Sequence, residues 1–266
     1  MIDFLYQTSD FNLFAVLSCF FISISIFALF LIKWLVPLHL RYQENAVVGY
    51  SSALIGVIYG VIAGFATLHL INNNNYALDA VQHEANAIAN LYRDSQWLDE
   101  PMRTNAQIDI KHYLNQVLNV EWPLMSKGKV ISNQGDIILE QISWDLNKTK
   151  VTDRLQTQVL SNMLEVSNAI YNARHDRILL SYLSLSNEIW VVIIIGTILT
   201  LCISYMFGVN FYLHIFTVVA AALMTTSIIF LLISLDKPYQ GDFIVGPAEL
   251  QSVSEFINNV ENWKPH

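Results

Sequence analysis

The chain has 266 residues, 54% of them apolar, with a mean hydropathy of +0.41 and a formal net charge of −8. Those values exclude an ordinary soluble domain and a basic nucleic-acid-binding face. No phosphate-binding glycine loop, nucleophile elbow, Cys–His pair or framed pair of carboxylates occurs, so the chain reads as no enzyme, with no catalytic residue and no cofactor.

The apolar residues collect in four runs, at about 11–35, 46–71, 189–207 and 211–235. At about 1.5 Å per residue, each is long enough to cross a hydrocarbon core of roughly 30 Å. Lys33 is the single charge within them and sits near an end, where its stem reaches the interface. The first run is too long for a signal-peptide core, and no Lys or Arg precedes it. Cys19 and Cys202 fall inside spans and read as small hydrophobes.

The expected fold is an all-α membrane protein with two transmembrane hairpins and a helical extramembrane domain between spans two and three. Residues 1–71 form the first hairpin, 72–188 the domain, 189–235 the second hairpin and 236–266 an acidic C-terminal tail. Within the domain, Ala77–Leu98 has apolar residues near 3.6 spacing; it either continues span two out of the membrane or follows a break, which the asparagines at 72–75 mildly favour. Asp99, Glu100 and Pro101 signal a helix running to about Val120. A shorter helix covers Gly135–Leu146. A long one covers Thr152–Ser184, with Leu155, Val159, Met163, Val166, Ile170, Ala173 and Leu180 along one side. Ser186, Asn187 and Glu188 cap the third span.

Four spans put both termini and the central domain on one side of the membrane. The first short turn carries Lys33 and Arg41, which places the turns in the cytoplasm and the domain in the periplasm of a bacterial inner membrane. The central region carries a charge of −4 and the segment after span four −3, so the domain-bearing side is acidic. Such a face raises the local concentration of cations, or simply keeps the protein soluble.

In span two, Gly49, Ala53, Gly56, Gly60 and Gly64 share one helix face, with Ser51, Ser52, Tyr59 and Thr67 as polar company. Two readings fit. Bare backbone allows close helix packing in lipid, or the same helix lines a pore enclosed by several subunits. The pore reading requires a ring of subunits, and the expected state is a homo-oligomer in a lipid bilayer. After span four, Asp236 and Asp242 are candidates for a pore mouth or ion site. Asp236 equally suits a pair with Arg174 or Arg177. Glu84, Arg93, Arg174 and Arg177 are candidates for interhelical pairs. Asp79 and His83 share a face, but two ligands are too few for a metal site, and none is expected. His112, His175 and His214 have no evident company.

Six stretches carry a family resemblance. They are GYSSALIGVIYGVIAG in span two, EANAIANLYR from Glu84, EWPLMSKG from Glu121, RHDRILLS from Arg174, WVVIIIGTILTLCISYMFG from Trp190 and LDKPYQGDFIVGP from Leu235. In this order they resemble the bestrophin-like four-transmembrane domain family, whose members are of unassigned function. The resemblance implies a link to bestrophins, which are oligomeric anion channels, although this chain offers no basic, anion-attracting lining. The expected function is therefore an oligomeric ion channel for small ions, leaning to cations. The alternative is a membrane-anchored sensor or assembly protein whose helical domain binds a partner.

Overall fold

Long apolar runs and alanine-rich amphipathic stretches leave nothing for a sheet to use, and every regular element among the described residues is a helix. The structure, a computed structural model, describes residues 9–36, 41, 44–148, 153–241 and 245–262. Its helices are α1 (Asp10–Leu35), α2 (Asn45–Ser95), α3 (Met102–Gln116), α4 (Trp122–Met125), α5 (Gln134–Lys148), α6 (Arg154–Tyr182), α7 (Asn187–Tyr205), α8 (Phe211–Leu235) and α9 (Ala248–Asn262). Four helical stretches are long and apolar enough to cross a membrane. The described chain divides into two compact units.

The first unit holds residues up to 72, 184–237 and 241. In it α8 packs along α1 and also against α7. One core joins Leu29 to Leu201, Tyr205, Val218 and Ala222. A second joins Tyr59, Ala63, Ala66 and Leu70 of α2 to Leu185, Ile193 and Leu232. Phe27, Trp34, Val57, Phe65 and Phe216 stay exposed, as lipid-facing side chains do. The side chain of Asn45 clasps Gly208, donating to its carbonyl at 2.9 Å and accepting from its N–H at 2.8 Å. The start of α2 is thereby tied to the turn between α7 and α8.

The second unit holds residues 73–183, 238–240 and those from 245 on. Its core runs through Val81, Ile88, Leu91 and Tyr92 of α2, Ile110 and Leu114 of α3, Ile138 and Ile142 of α5, and Met163 and Ile170 of α6. Several features depart from the sequence expectations. First, α2 is one helix across Asn72–Asn75. A poor-propensity residue costs at most about 0.7 kcal/mol, too little to stop a helix favoured on both sides. Second, the segment expected as an acidic tail contains α9, and its Leu250, Val253 and Ile257 are core residues. Third, Leu155 is 75% exposed; the rest of the expected α6 face holds, with Met163, Ile170 and Ala173 buried and Val159, Val166 and Leu180 packed on the core, and Leu160, Ser167, Arg174 and Arg177 join it.

The helix beginning at Met102 does not end at Val120. A π-helical segment, Val117–Glu121, joins α3 to α4, and the Trp122 N–H bonds to the Val117 carbonyl. Pro123 accounts for it. Proline has no N–H to donate and its ring crowds the carbonyl four residues back, and a widened turn relieves both. The added residue turns Glu121 fully inward.

Candidate functional site

The outward face of α2 carries the glycine stripe of span two. Ala53, Gly56, Gly60 and Gly64 are exposed, with Gly49 and Ser52 half-buried. A Cβ placed at Gly49, Gly56, Gly60 or Gly64 would meet no atom within 4 Å. Among the described residues, no atom of the protomer covers these four glycines where a side chain would be. Tyr59 lies on the flank turned to the core. It is buried, its hydroxyl is 3.0 Å from Thr197 Oγ1, and its ring fills the space where a Cβ of Gly196 would be. The structure thus separates Tyr59 from the glycines it was grouped with.

Asp236 is 3% exposed, and its Oδ1 accepts from the Leu185 N–H at 2.6 Å. The carboxylate expected at a pore mouth sits inside the protomer, where it holds the link between α6 and α7. Asp242 lies outside the described residues.

The second unit buries a network of charges. Arg174 and Arg177, three residues apart on α6, point to the same side. Glu84 of α2 accepts from Arg177 Nε at 2.5 Å and from Nη2 at 3.0 Å. Glu121 bridges both arginines: Oε2 accepts from Arg177 Nη2 at 2.8 Å, and Oε1 accepts from Arg174 Nη2 at 2.9 Å and Nε at 3.1 Å. Arg174 also pairs with Asp136, and the Tyr113 hydroxyl donates to Glu84 at 2.6 Å. The side chains of Glu84, Glu121 and Arg177 are 0% exposed.

Burial and the neighbouring Glu84 push the Tyr113 hydroxyl well above its ordinary pKa. Burial opposes the charge of Arg177, but Glu84 and Glu121 outweigh it and hold the guanidinium firmly protonated. Gly135 of α5 makes room for this arrangement. A Cβ there would collide with Glu121 Oε1 and Arg174 Nε.

Of the residues expected to pair, Glu84, Arg174 and Arg177 come together, whereas Arg93 is exposed, donating to Asn90 and lying over the Phe256 ring. Arg174 and Arg177 find Glu121, Asp136 and Glu84. Sequence reasoning missed Glu121, Tyr113 and Asp136. The available signal was arithmetic: two inward arginines on one helix need more than one carboxylate. No group of three or more metal-ligating side chains occurs among the described residues. The network is a closed arrangement that fixes helices to one another.

The sequence profile of a family described as Bestrophin-like domain matches residues 19–250. Among solved structures, two single-substitution variants of a bacterial bestrophin homolog from Klebsiella pneumoniae match with TM-scores of 0.67 and 0.68. Each is 12% identical, and the matches cover 92% and 94% of this chain and 99% of theirs. A crystal structure described as a membrane protein matches at 12% identity and TM-score 0.67, over 94% of this chain and 99% of its own. At such identity the likeness is one of fold. No curated protein matches the chain.

Proposed function

The chain belongs to the Bestrophin-like domain family, and from that premise we propose that it is a homo-oligomeric ion channel of the bacterial inner membrane. The observation that carries this reading is the outward face of α2. Among the described residues nothing lies where side chains at its glycines would be, and a polar-flanked, bare backbone face within a span calls for another helix or a pore. One four-span unit cannot enclose a hydrated path and keep its own core, so a ring of copies would supply it, with α2 nearest the axis. The spans form two hairpins. The acidic central region and both termini lie on the periplasmic side, and the short turns bearing Lys33 and Arg41 lie in the cytoplasm.

The channel favours cations, because the domain-bearing residues carry a net negative charge that acts over a Debye length of about 8–10 Å. Asp242 is the remaining candidate for a mouth acid. Reversal potentials in planar bilayers under a salt gradient test this. A shift toward the cation potential, weaker in Asp242→Asn at low salt, is expected. Reversal at the chloride potential refutes the cation preference. Absence of conductance from a reconstituted oligomer refutes the channel and leaves the membrane-anchored sensor, which the large separate core of the second unit favours.

A further inference from the structure

At one end of the first unit three basic groups gather, none of them ion-paired among the described residues. Arg41 is 5% exposed, and its Nε and Nη1 are buried with no hydrogen-bond partner among the described residues. His214, in the first turn of α8, is 0% exposed. Its Nε2 lies 3.2 Å from the Ser204 carbonyl, which can only accept, so Nε2 carries a proton. Its Nδ1 is buried and unpartnered. Lys33, in the last turn of α1, lies over the Phe211 ring at 4.3 Å. Lys33 is within electrostatic reach of Arg41, and His214 is within reach of both.

None of the ion pairs in the described chain involves Arg41 or Lys33. A guanidinium taken out of water with open donors is costly, and neighbouring positive charges raise that cost. An arrangement of this kind is stable when an anion occupies it. We propose that Arg41, Lys33 and His214 form a binding site for a phosphate-type oxyanion. The chemistry favours a tetrahedral anion, because its oxygens diverge and can meet donors coming from three chain segments. A guanidinium also binds phosphate oxygens through directed N–H bonds. The free Nδ1 accepts from a P–OH group, or donates when the ring is protonated. The α8 N-terminus adds a favourable dipole.

Two sources could supply the anion. Lys33 and His214 sit at span ends, the level of lipid headgroups, so an anionic phospholipid is one. Free phosphate reaching the same pocket is the other.

The test uses delipidated full-length protein in neutral detergent, followed by thermal unfolding and native mass spectrometry. Phosphatidylglycerol is titrated against phosphatidylcholine, and inorganic phosphate against chloride at equal ionic strength. The expected result is a higher Tm with phosphatidylglycerol or with phosphate. Its half-saturation should rise roughly tenfold or more in Arg41→Gln and Lys33→Gln, the scale of one lost charge-assisted hydrogen bond. A response to the lipid alone assigns a headgroup, and a response to phosphate assigns a site open to soluble anions; either supports the proposal. Arg41→Gln should also be more stable than the parent when no anion is present, which loss of an ordinary packing residue would not produce. Lys33 is only half-buried, so its variant carries the test if Arg41→Gln does not fold. No response to lipid or phosphate, an equal response to chloride, or unchanged binding in the variants overturns it. So does loss of the oligomer in Arg41→Gln without any anion response, since the counter-charge is then a carboxylate of a neighbouring copy.

Discussion

Replacing Gly135 with alanine adds one methyl group and should destabilise the second unit severely. In a helix alone the change would be neutral or favourable, by about 1 kcal/mol at most. Here the new Cβ falls on Glu121 Oε1 and Arg174 Nε, whose side chains are 0% and 3% exposed. Neither atom can retreat without lengthening the Glu121–Arg174 pair, and α5 cannot shift without parting Asp136 from Arg174. Separating a buried, hydrogen-bonded ion pair costs about 3–5 kcal/mol when complete. A partial loss, offset by the gain in helix propensity, leaves about 1–4 kcal/mol of net destabilisation. For a chain of this size that corresponds to a fall in Tm of roughly 2–16 °C, at about 2–4 °C per kcal/mol. Intrinsic fluorescence of detergent-purified protein is a suitable readout, because Trp122 is buried with its ring 6.0 Å from the Arg177 guanidinium. Gly64→Ala, with no atom near its added Cβ, is the control and should not lower protomer stability. A double-mutant cycle with Glu121→Ala separates collision from other causes, since the cost at 135 should shrink once the carboxylate is gone. A Gly135→Ala protein that melts at or above the parent temperature refutes the argument.

Three further outcomes are expected. Gly60→Leu should leave the protomer folded, because nothing crowds that position, but reduce the oligomer to a smaller species on a sizing column; an unchanged size removes the glycine stripe as an assembly face. Compartment reporters placed at residue 130 and after His266 should agree with each other and report the periplasm, and a cytoplasmic signal at either refutes the proposed orientation. Burial and the nearby Asp145 push the Asp109 carboxyl above its ordinary range, against a lowering by His112. A carboxyl whose folded pKa is raised contributes stability while protonated and loses it as pH rises through the folded value. Asp109→Asn should therefore raise Tm at pH 7 and give no gain below about pH 3.5, near the unfolded pKa; a gain independent of pH refutes this assignment.

The four spans were legible because uninterrupted apolar length is a signal that local propensity cannot imitate. The continuity of α2 was not, since the asparagines lower helix stability in isolation while the chain on either side favours helix. The π segment before Pro123 was hidden for a related reason. Proline announces a disturbance, but whether the helix stops or widens depends on what the widened turn buries, here Glu121. The α9 helix has its signal in Leu250, Val253, Ile257 and Val260 at helical spacing, but only one amphipathic face is apolar and the acidic residues on the other give the segment the composition of a solvated tail. Arg174 and Arg177 could be singled out as charges needing partners. Their full set of partners depended on which helices pack together, and that information resides in no local window. The glycine stripe was visible at once, but that it faces away from the protomer core required the packing of Tyr59.

That tyrosine has a consequence for how the outer surface of the protein is specified. A smooth apolar helix in lipid can rotate about its own axis at little cost, because one greasy face resembles another. With its ring seated against Gly196 and its hydroxyl on Thr197, Tyr59 sets the azimuth of α2, like a key in a slot. Which residues look outward is thus decided by an interior contact. A substitution at Gly196, whose added Cβ would meet the Tyr59 ring, would turn the whole stripe out of phase from within the protomer.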